Sequence, residues 1–147
     1  MAVITTDILI EGIRRDDVLE WIGNRDHHER MLAGAFDGMK VKAPGEFDLT
    51  LKTNPLPRTL SYTFDHVDNE HGGRRVHVKT AGRRLDGKIH YSLRTMKPAL
   101  NTLVTLHADY DTGGPLGGII DSAIIRKRLE DGFKKILENL QREIVKG

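Results

Sequence analysis

The sequence predicts a single α+β domain in which a long C-terminal helix covers one face of an antiparallel sheet. Three observations support this class. Apolar and polar residues alternate with a period of two between about residues 36 and 110, and apolar residues recur every three or four positions between 116 and 144. Two short helical segments follow a first strand. The chain has 147 residues, which is the usual length of one domain.

The N-terminal part predicts one strand and two short helices. The strand covers residues 3–10, whose isoleucines fall on one side at a period of two. The first helix, which Asp16 or Asp17 can cap, ends at Gly23. The second helix covers residues 25–33. These elements precede the alternating region and give the sheet its first strand.

The alternating region predicts six further strands, and therefore about seven in all. Asp86-Gly87 is the clearest of its turn signals, because this dipeptide favours a two-residue type I′ hairpin. With that turn, Gly82 would face Tyr91 and Thr80 would face Leu93. One-sided alternation is typical of an antiparallel sheet with one covered face.

The last predicted element is a helix of about 30 residues, which at about 1.5 Å per residue is about 45 Å long. It follows Pro115, a residue that the first turn of a helix tolerates, and no proline occurs after it. Its apolar stripe includes Ile120 and Ile124. A coiled coil is the alternative, but the run covers few heptads and the sheet needs a cover, so a core helix is favoured.

Composition excludes several classes of protein. The chain contains no cysteine, which rules out disulfides, thiolate metal sites and cysteine nucleophiles. No apolar run reaches the roughly 20 residues of a spanning helix, and the N-terminus lacks the pattern of a secretory signal. We therefore expect a cytoplasmic protein without a transmembrane segment. Aromatic residues make up only 5% of the chain, so a nucleic-acid surface built on base stacking is not expected.

The net charge of +2 is unevenly distributed. Residues 1–70 carry 8 basic and 13 acidic residues, whereas residues 71–94 carry 7 basic residues and only Asp86 as an acid. One interpretation is a surface for an anionic partner such as RNA or a phospholipid. The other, which we favour, is the solvated face of a hairpin whose charges keep the sheet edge from pairing.

The order of these elements resembles the START/Bet v 1-like (SRPBCC) superfamily, in particular its polyketide cyclase/dehydratase-like and CoxG-like members. The glycine-rich entry of the last helix, Gly113-Gly114-Pro115-Leu116-Gly117-Gly118, followed by Ile124-Ile125-Arg126-Lys127-Arg128-Leu129, carries most of the resemblance. Ile8-Leu9-Ile10-Glu11-Gly12 and Val18-Leu19-Glu20-Trp21-Ile22 are similar to the first strand and helix. The resemblance covers residues 1–147. It implies a helix-grip fold, in which a curved sheet surrounds the long helix and leaves a cavity.

The resemblance implies that this cavity binds a small hydrophobic or amphipathic ligand, such as a lipid, a polyketide-like or an aromatic molecule. The expected pocket residues are Tyr62, Phe64, His66, Arg84, Tyr91, Leu106, Tyr110, Ile120 and Ile124. A cyclase/dehydratase-type enzyme is the alternative, with His66 and a pocket tyrosine as acid and base. A further alternative is an interaction module whose basic segment 74–94 contacts an anionic membrane surface or a protein.

No motif for a cofactor or a metal stands out. His77, His90 and His107 are all predicted on the polar face of consecutive strands, but surface histidines are common and we expect no metal site. His27-His28-Glu29 lacks the His-Glu-x-x-His spacing of a zinc helix and predicts an exposed helical turn. The glycine-rich segment lacks the Gly-Lys-Ser/Thr of a phosphate-binding loop and is interpreted as a tight turn into the helix.

Overall fold

The computed structural model describes residues 2–52, 57–70, 73–82, 85–97, 100–111 and 119–147, with side chains from residue 123 onward in the last helix. The strands are β1 (Ala2–Ile10), β2 (Gly38–Ala43), β3 (Glu46–Leu51), β4 (Arg58–Asp68), β5 (Arg75–Ala81), β6 (Gly87–Met96) and β7 (Asn101–Tyr110). The helices are α1 (Arg15–Ile22), α2 (His28–Leu32) and α3 (Ile119–Ile144), and a 3₁₀ turn (Arg25–His27) precedes α2.

The seven strands form one curved antiparallel sheet in the order β1-β7-β6-β5-β4-β3-β2. Strand β1 pairs along its whole length with β7, so the two ends of the strand region meet in the sheet. Helix α3 packs against β1, β7 and α2. The predicted α+β class and the seven strands around a long C-terminal helix are therefore confirmed. None of the described helices is long and apolar enough to cross a membrane.

The core lies between the sheet and the helices. Alternate residues of β7 are buried along the whole strand, as a period of two requires. Helix α3 contributes one buried stripe at spacings of three and four, formed by Ile125, Leu129, Phe133, Ile136, Leu137, Leu140 and Ile144. We call the sheet face toward this stripe the inner face, and the opposite one the outer face.

The predicted two-residue turn at Asp86-Gly87 is wrong. Thr80 pairs with Gly87, so Gly87 already belongs to β6 and the connection is longer than two residues. Leu85 is fully buried and anchors the connection to the core, while the Asp86 carboxylate accepts a hydrogen bond from the Gly82 N–H at 3.1 Å. The register differs from the predicted one by an even number of residues, so the same side chains still face inward.

Candidate functional site

A chain of hydrogen bonds runs through the core from α2 to the sheet. The Nε2 atom of His28 lies 2.7 Å from the Ile22 carbonyl oxygen, and its Nδ1 atom lies 2.7 Å from the Tyr62 hydroxyl. The Tyr62 hydroxyl in turn lies 2.8 Å from that of Tyr91. All three side chains are completely buried. We call His28, Tyr62 and Tyr91 the His–Tyr–Tyr chain.

Chemistry fixes the direction of every proton in the His–Tyr–Tyr chain. The Ile22 carbonyl can only accept, so the Nε2 atom of His28 carries the hydrogen and donates it. In a neutral imidazole Nδ1 is then the acceptor, and the Tyr62 hydroxyl donates to it. The Tyr91 hydroxyl must therefore donate to the Tyr62 oxygen. The His–Tyr–Tyr chain ends at the Tyr91 hydroxyl oxygen, which can only accept a further hydrogen bond.

Burial keeps these groups neutral. It lowers the pKa of His28 from 6.5 to about 4, because the charged imidazolium would lose its hydration. It raises the pKa of the Tyr62 and Tyr91 hydroxyls well above their ordinary value for the same reason. The three groups therefore form an uncharged network at neutral pH, as the proton assignment requires.

A groove of about 700 Å³ lies at one end of the sheet, beside the connection between β5 and β6. Its described lining consists of Ser61, Thr63, Lys79, Thr80, Ala81, Asp86, Gly87, Lys88, Asp109, Tyr110 and Asp111. On the inner face, Tyr62, Thr80, Gly87 and Tyr110 form one cross-strand row. Ser61, Thr63, Lys79, Ala81, Lys88 and Asp109 alternate with that row and belong to the outer face, so the groove lies mainly on the outer side of the sheet.

A second, narrow space lies on the inner side of the sheet, toward α3. It measures about 10 Å³, shares Thr80, Lys88, Asp109 and Tyr110 with the groove, and is bounded on the helix side by Leu129 and Phe133. Gly87 lines the groove, and an added Cβ there would overlap the Asp109 carbonyl oxygen. The open groove and the nearly closed apolar space therefore lie on opposite sides of the same strands.

Arg126 fixes the first described turns of α3 beside this groove. Its guanidinium donates to the Val3 carbonyl oxygen at 3.1 Å and to the Glu130 carboxylate at 2.8 Å. It also hydrogen-bonds to the Tyr110 hydroxyl, although burial is the larger effect and raises the pKa of that hydroxyl. The helix is therefore attached to β1 and β7 by polar contacts at the end where the groove opens.

The structure places the expected pocket residues in different environments. Tyr62, Tyr91 and Leu106 lie on the inner face and are fully buried, and Phe64 is half-buried there. Tyr110 also faces inward, and it alone of these five lines the groove. Arg84 and the side chain of Ile120 lie outside the described residues.

The prediction that His66 faces the pocket is wrong. A β-bulge between Phe64 and His66 adds one residue to β4, so Phe64 pairs with Val78 while His66 pairs with His77. The His66 side chain consequently lies on the outer face and is 58% exposed. The sheet separates it from the pocket tyrosines, and the predicted acid–base pair of His66 with one of them does not form.

The prediction for Ile124 is also wrong, because this side chain is 37% exposed. The buried stripe of α3 passes instead through the neighbouring Ile125 and continues to Leu129. Two adjacent isoleucines satisfy the helical spacing almost equally well in the sequence. Packing against the sheet selects one of them.

His28 is the site residue that the sequence analysis missed, since its segment was predicted to be an exposed turn. In the structure His28, Met31 and Leu32 form the buried face of α2. Their spacing of three and four is the pattern of a buried helix face. That spacing could have identified His28 as a core residue.

Acidic residues neutralise part of the basic segment 74–94. The Arg74 Nε atom lies 3.2 Å from an Asp16 carboxylate oxygen, and the Lys79 Nζ atom lies 3.8 Å from Asp65. Both acids come from the negatively charged first half of the chain. Intramolecular pairing therefore accounts for some of the charge asymmetry in the sequence.

No family model and no curated protein matches the sequence, but many solved structures match the fold. A START superfamily protein from Mycobacterium smegmatis superposes with a TM-score of 0.59 at 10% identity, over 95% of this chain and 97% of that one. Norcoclaurine synthase from Thalictrum flavum gives 0.65 at 17%, over 99% and 87%. The ZhuI aromatase/cyclase from Streptomyces sp. R1128 gives 0.59 at 10%, over 97% and 95%. This chain has the START/Bet v 1-like helix-grip fold.

The site described above can now be placed within this fold. In this chain the His–Tyr–Tyr chain joins α2 to the inner face of the sheet, and the groove opens where β7 ends. Identities of 10–17% establish a common architecture, on which unrelated functions can be built. The function has to be argued from this chain's own residues.

Proposed function

We propose that the protein binds a small hydrophobic or amphipathic molecule between the sheet and α3, with entry beside Tyr110. The observation that carries the proposal is the apolar space between the sheet and Leu129 and Phe133 of α3, which shares Tyr110 with the groove of about 700 Å³ on the outer side. Small-molecule sites usually have volumes of about 300–1,000 Å³ and mostly apolar walls. The fold supports the proposal, since it places a long helix across a curved sheet.

The inner end of the path suits an apolar group. Leu60, Ile89 and Ala108 of the sheet face Leu129 and Phe133 of α3 across the narrow space. Each methylene transferred from water to such surroundings contributes about 0.8 kcal/mol. Because only about 10 Å³ is open there, the ligand would have to separate these side chains as it enters.

The outer end of the path suits a polar head group. Lys79 and Lys88 are directly opposite each other on neighbouring strands, and Lys88 is opposite Asp109. Two like charges in such a pair destabilise each other. Lys79 is paired with Asp65, and the groove also holds Asp86, Asp109 and Asp111, so its polar lining suits a head group that both donates and accepts hydrogen bonds. We therefore favour an amphipathic ligand over a purely apolar one.

The experiment is a fluorescence titration with a dansyl-labelled fatty acid, supported by native mass spectrometry and a thermal-shift panel of lipids and aromatic compounds. Ala81→Trp adds bulk to the groove wall, and Ser92→Trp adds the same bulk elsewhere on the outer face, away from the groove. We expect wild type and S92W to bind alike and A81W to bind about tenfold more weakly, about 1.4 kcal/mol. Absence of binding to every compound, or equal affinity of A81W, would overturn the proposal.

A second candidate function is acid–base catalysis on the bound molecule. The observation that favours it is the neutral, buried His28, which accepts a hydrogen bond from Tyr62 and could take up a proton through it. If a substrate is found, Tyr62→Phe should abolish turnover while leaving the dissociation constant nearly unchanged. Turnover equal to wild type would exclude the His–Tyr–Tyr chain from the chemistry.

A further inference from the structure

Four histidines form one row across the outer face of the sheet. Strand pairing sets His66 opposite His77, His77 opposite His90, and His90 opposite His107. Their ring centroids are 4.4, 5.9 and 4.8 Å apart in that order. We call these four residues the histidine row. None of them is among the described residues of the groove, and neither candidate function uses them.

The bulge in β4 completes the histidine row. Strict alternation after Phe64 would direct His66 to the inner face, whereas the extra residue at Asp65 directs it outward. Bulges often redirect a side chain beside a functional site. Here the bulge places a fourth imidazole next to His77, and the two rings stack with an interplanar angle of 13°.

Asp65 prepares His66 to act as a metal ligand. Its Oδ2 atom lies 3.0 Å from the Nδ1 atom of His66. A carboxylate can only accept, so the neutral imidazole donates its Nδ1–H and keeps a lone pair on Nε2. Histidines that bind metals usually donate their other ring N–H to a carboxylate, carbonyl or water in this way.

The spacing of the rings permits chelation after a change of side-chain torsions alone. Zinc binds imidazole nitrogen at about 2.0–2.1 Å, so two nitrogens on one ion lie at most about 4 Å apart. The rings of His66 and His77 are 4.4 Å apart on adjacent strands. As the side chains stand, no three His, Asp or Glu residues in the described part of the chain converge on one point. Rotation of His77 and His90 would bring their nitrogens toward His66 without backbone movement.

The geometry points to a transition-metal site on the outer face, at which His66, His77 and His90 bind a Zn²⁺-like cation and Asp65 orients His66. Imidazole ligands suit Zn²⁺, Ni²⁺ and Cu²⁺, whereas Mg²⁺ and Ca²⁺ prefer oxygen. The sequence alone predicted no metal here, because neither the outward turn of His66 nor its contact with Asp65 can be read from it. The histidine row lies on the same outer face as the groove, but His66, His77 and His90 are not among the described residues that line it.

The test is isothermal titration of the untagged chain with Zn²⁺ at neutral pH, with Mg²⁺ as the comparison ion. We expect one Zn²⁺ per chain, no binding of Mg²⁺, and loss of Zn²⁺ binding in His77→Ala. His107→Ala, at the far end of the row, is the matched control and should keep its affinity within about twofold, about 0.4 kcal/mol. Thermal melts without metal establish that both variants fold.

A second pair of variants tests the role of Asp65. Asp65→Asn should weaken Zn²⁺ binding by about 10–100-fold, the usual effect of removing a carboxylate that orients a ligand. Asp109→Asn is its control, since the Asp109 carboxylate lies 3.9 Å from His107. The inference is overturned if wild type does not bind Zn²⁺, if H77A binds as wild type does, or if H107A loses as much affinity as H77A.

Discussion

The Nδ1 atom of His28 accepts a hydrogen bond from the Tyr62 hydroxyl at 2.7 Å, in a part of the core that solvent does not reach. This contact joins α2, which follows the first strand, to the middle of the sheet. Buried polar groups stabilise a fold only while they are paired, so removing either partner should lower the unfolding free energy.

The first prediction concerns the two tyrosines. Tyr62→Phe removes both hydrogen bonds of the central hydroxyl and leaves Nδ1 of His28 buried without a donor, which should cost about 1–3 kcal/mol of unfolding free energy. Tyr91→Phe removes only the last donor and should cost about 0.5–1.5 kcal/mol. Urea denaturation of both variants measures the difference. A Tyr91 variant as unstable as the Tyr62 variant would contradict the proton order.

The second prediction concerns pH. Because folding lowers the pKa of His28 from 6.5 to about 4, the unfolded chain binds one more proton than the folded chain between these values. The unfolding free energy should therefore be complete above pH 6.5 and fall as the pH falls toward 4, by about 3 kcal/mol in all.

Two other histidines would contribute in the same direction, since the pKa values of His77 and His90 are also lowered. The measurement is therefore made on the His77→Gln/His90→Gln variant with a chelator present. Chemical denaturation between pH 7 and 4.5 should still show a loss of stability with acid. A flat profile in this variant would mean that His28 does not titrate as described.

The third prediction concerns the contact between α2 and α3. The Asn139 side chain is fully buried and donates to the carbonyl oxygens of Met31 and Ala33 at 2.9 and 2.8 Å. Asn139→Ala leaves two carbonyls unpaired and should destabilise the fold by about 1–3 kcal/mol. Gln141→Ala, which removes a contact to Leu9 at the surface, should change stability by no more than about 0.5 kcal/mol. Equal effects in thermal denaturation would contradict this account of the packing.

The fourth prediction concerns glycine at the start of a strand. An added Cβ at Gly87 would overlap the Asp109 backbone, whereas at Gly38 it would meet only the Thr50 side chain at 3.3 Å. Gly87→Ala should therefore cost at least about 1–3 kcal/mol by overpacking, and Gly38→Ala should cost less. Denaturation curves of the pair test this, and a well-tolerated Gly87→Ala would show that the Asp109 backbone lies further from Gly87 than described.

Features that depend only on whether a residue occupies an odd or an even position in a strand could be predicted from the sequence. The inward positions of Tyr62, Tyr91 and Tyr110 follow from a period of two, and they remain correct although the β5–β6 register differs from the predicted one. The seven strands and the long helix follow from equally regular spacings. One even shift of register leaves such assignments unchanged.

Features that depend on one inserted residue or on tertiary packing could not be predicted. The bulge at Asp65 reverses the direction of the His66 side chain, and no local sequence pattern indicates the bulge. The choice between Ile124 and Ile125 is made by the sheet that α3 covers. The hydrogen bond of His28 in the core needs its partner Tyr62, which lies 34 residues further along the chain.

The most direct test of the proposed ligand path is an amide chemical-shift titration of the isotope-labelled chain with lauric acid. The account predicts changes at Thr80, Gly87 and Tyr110, where the groove opens, and at Leu129 and Phe133 on the inner side of α3. Unchanged spectra, or changes on the outer face without any at Leu129 and Phe133, would contradict it.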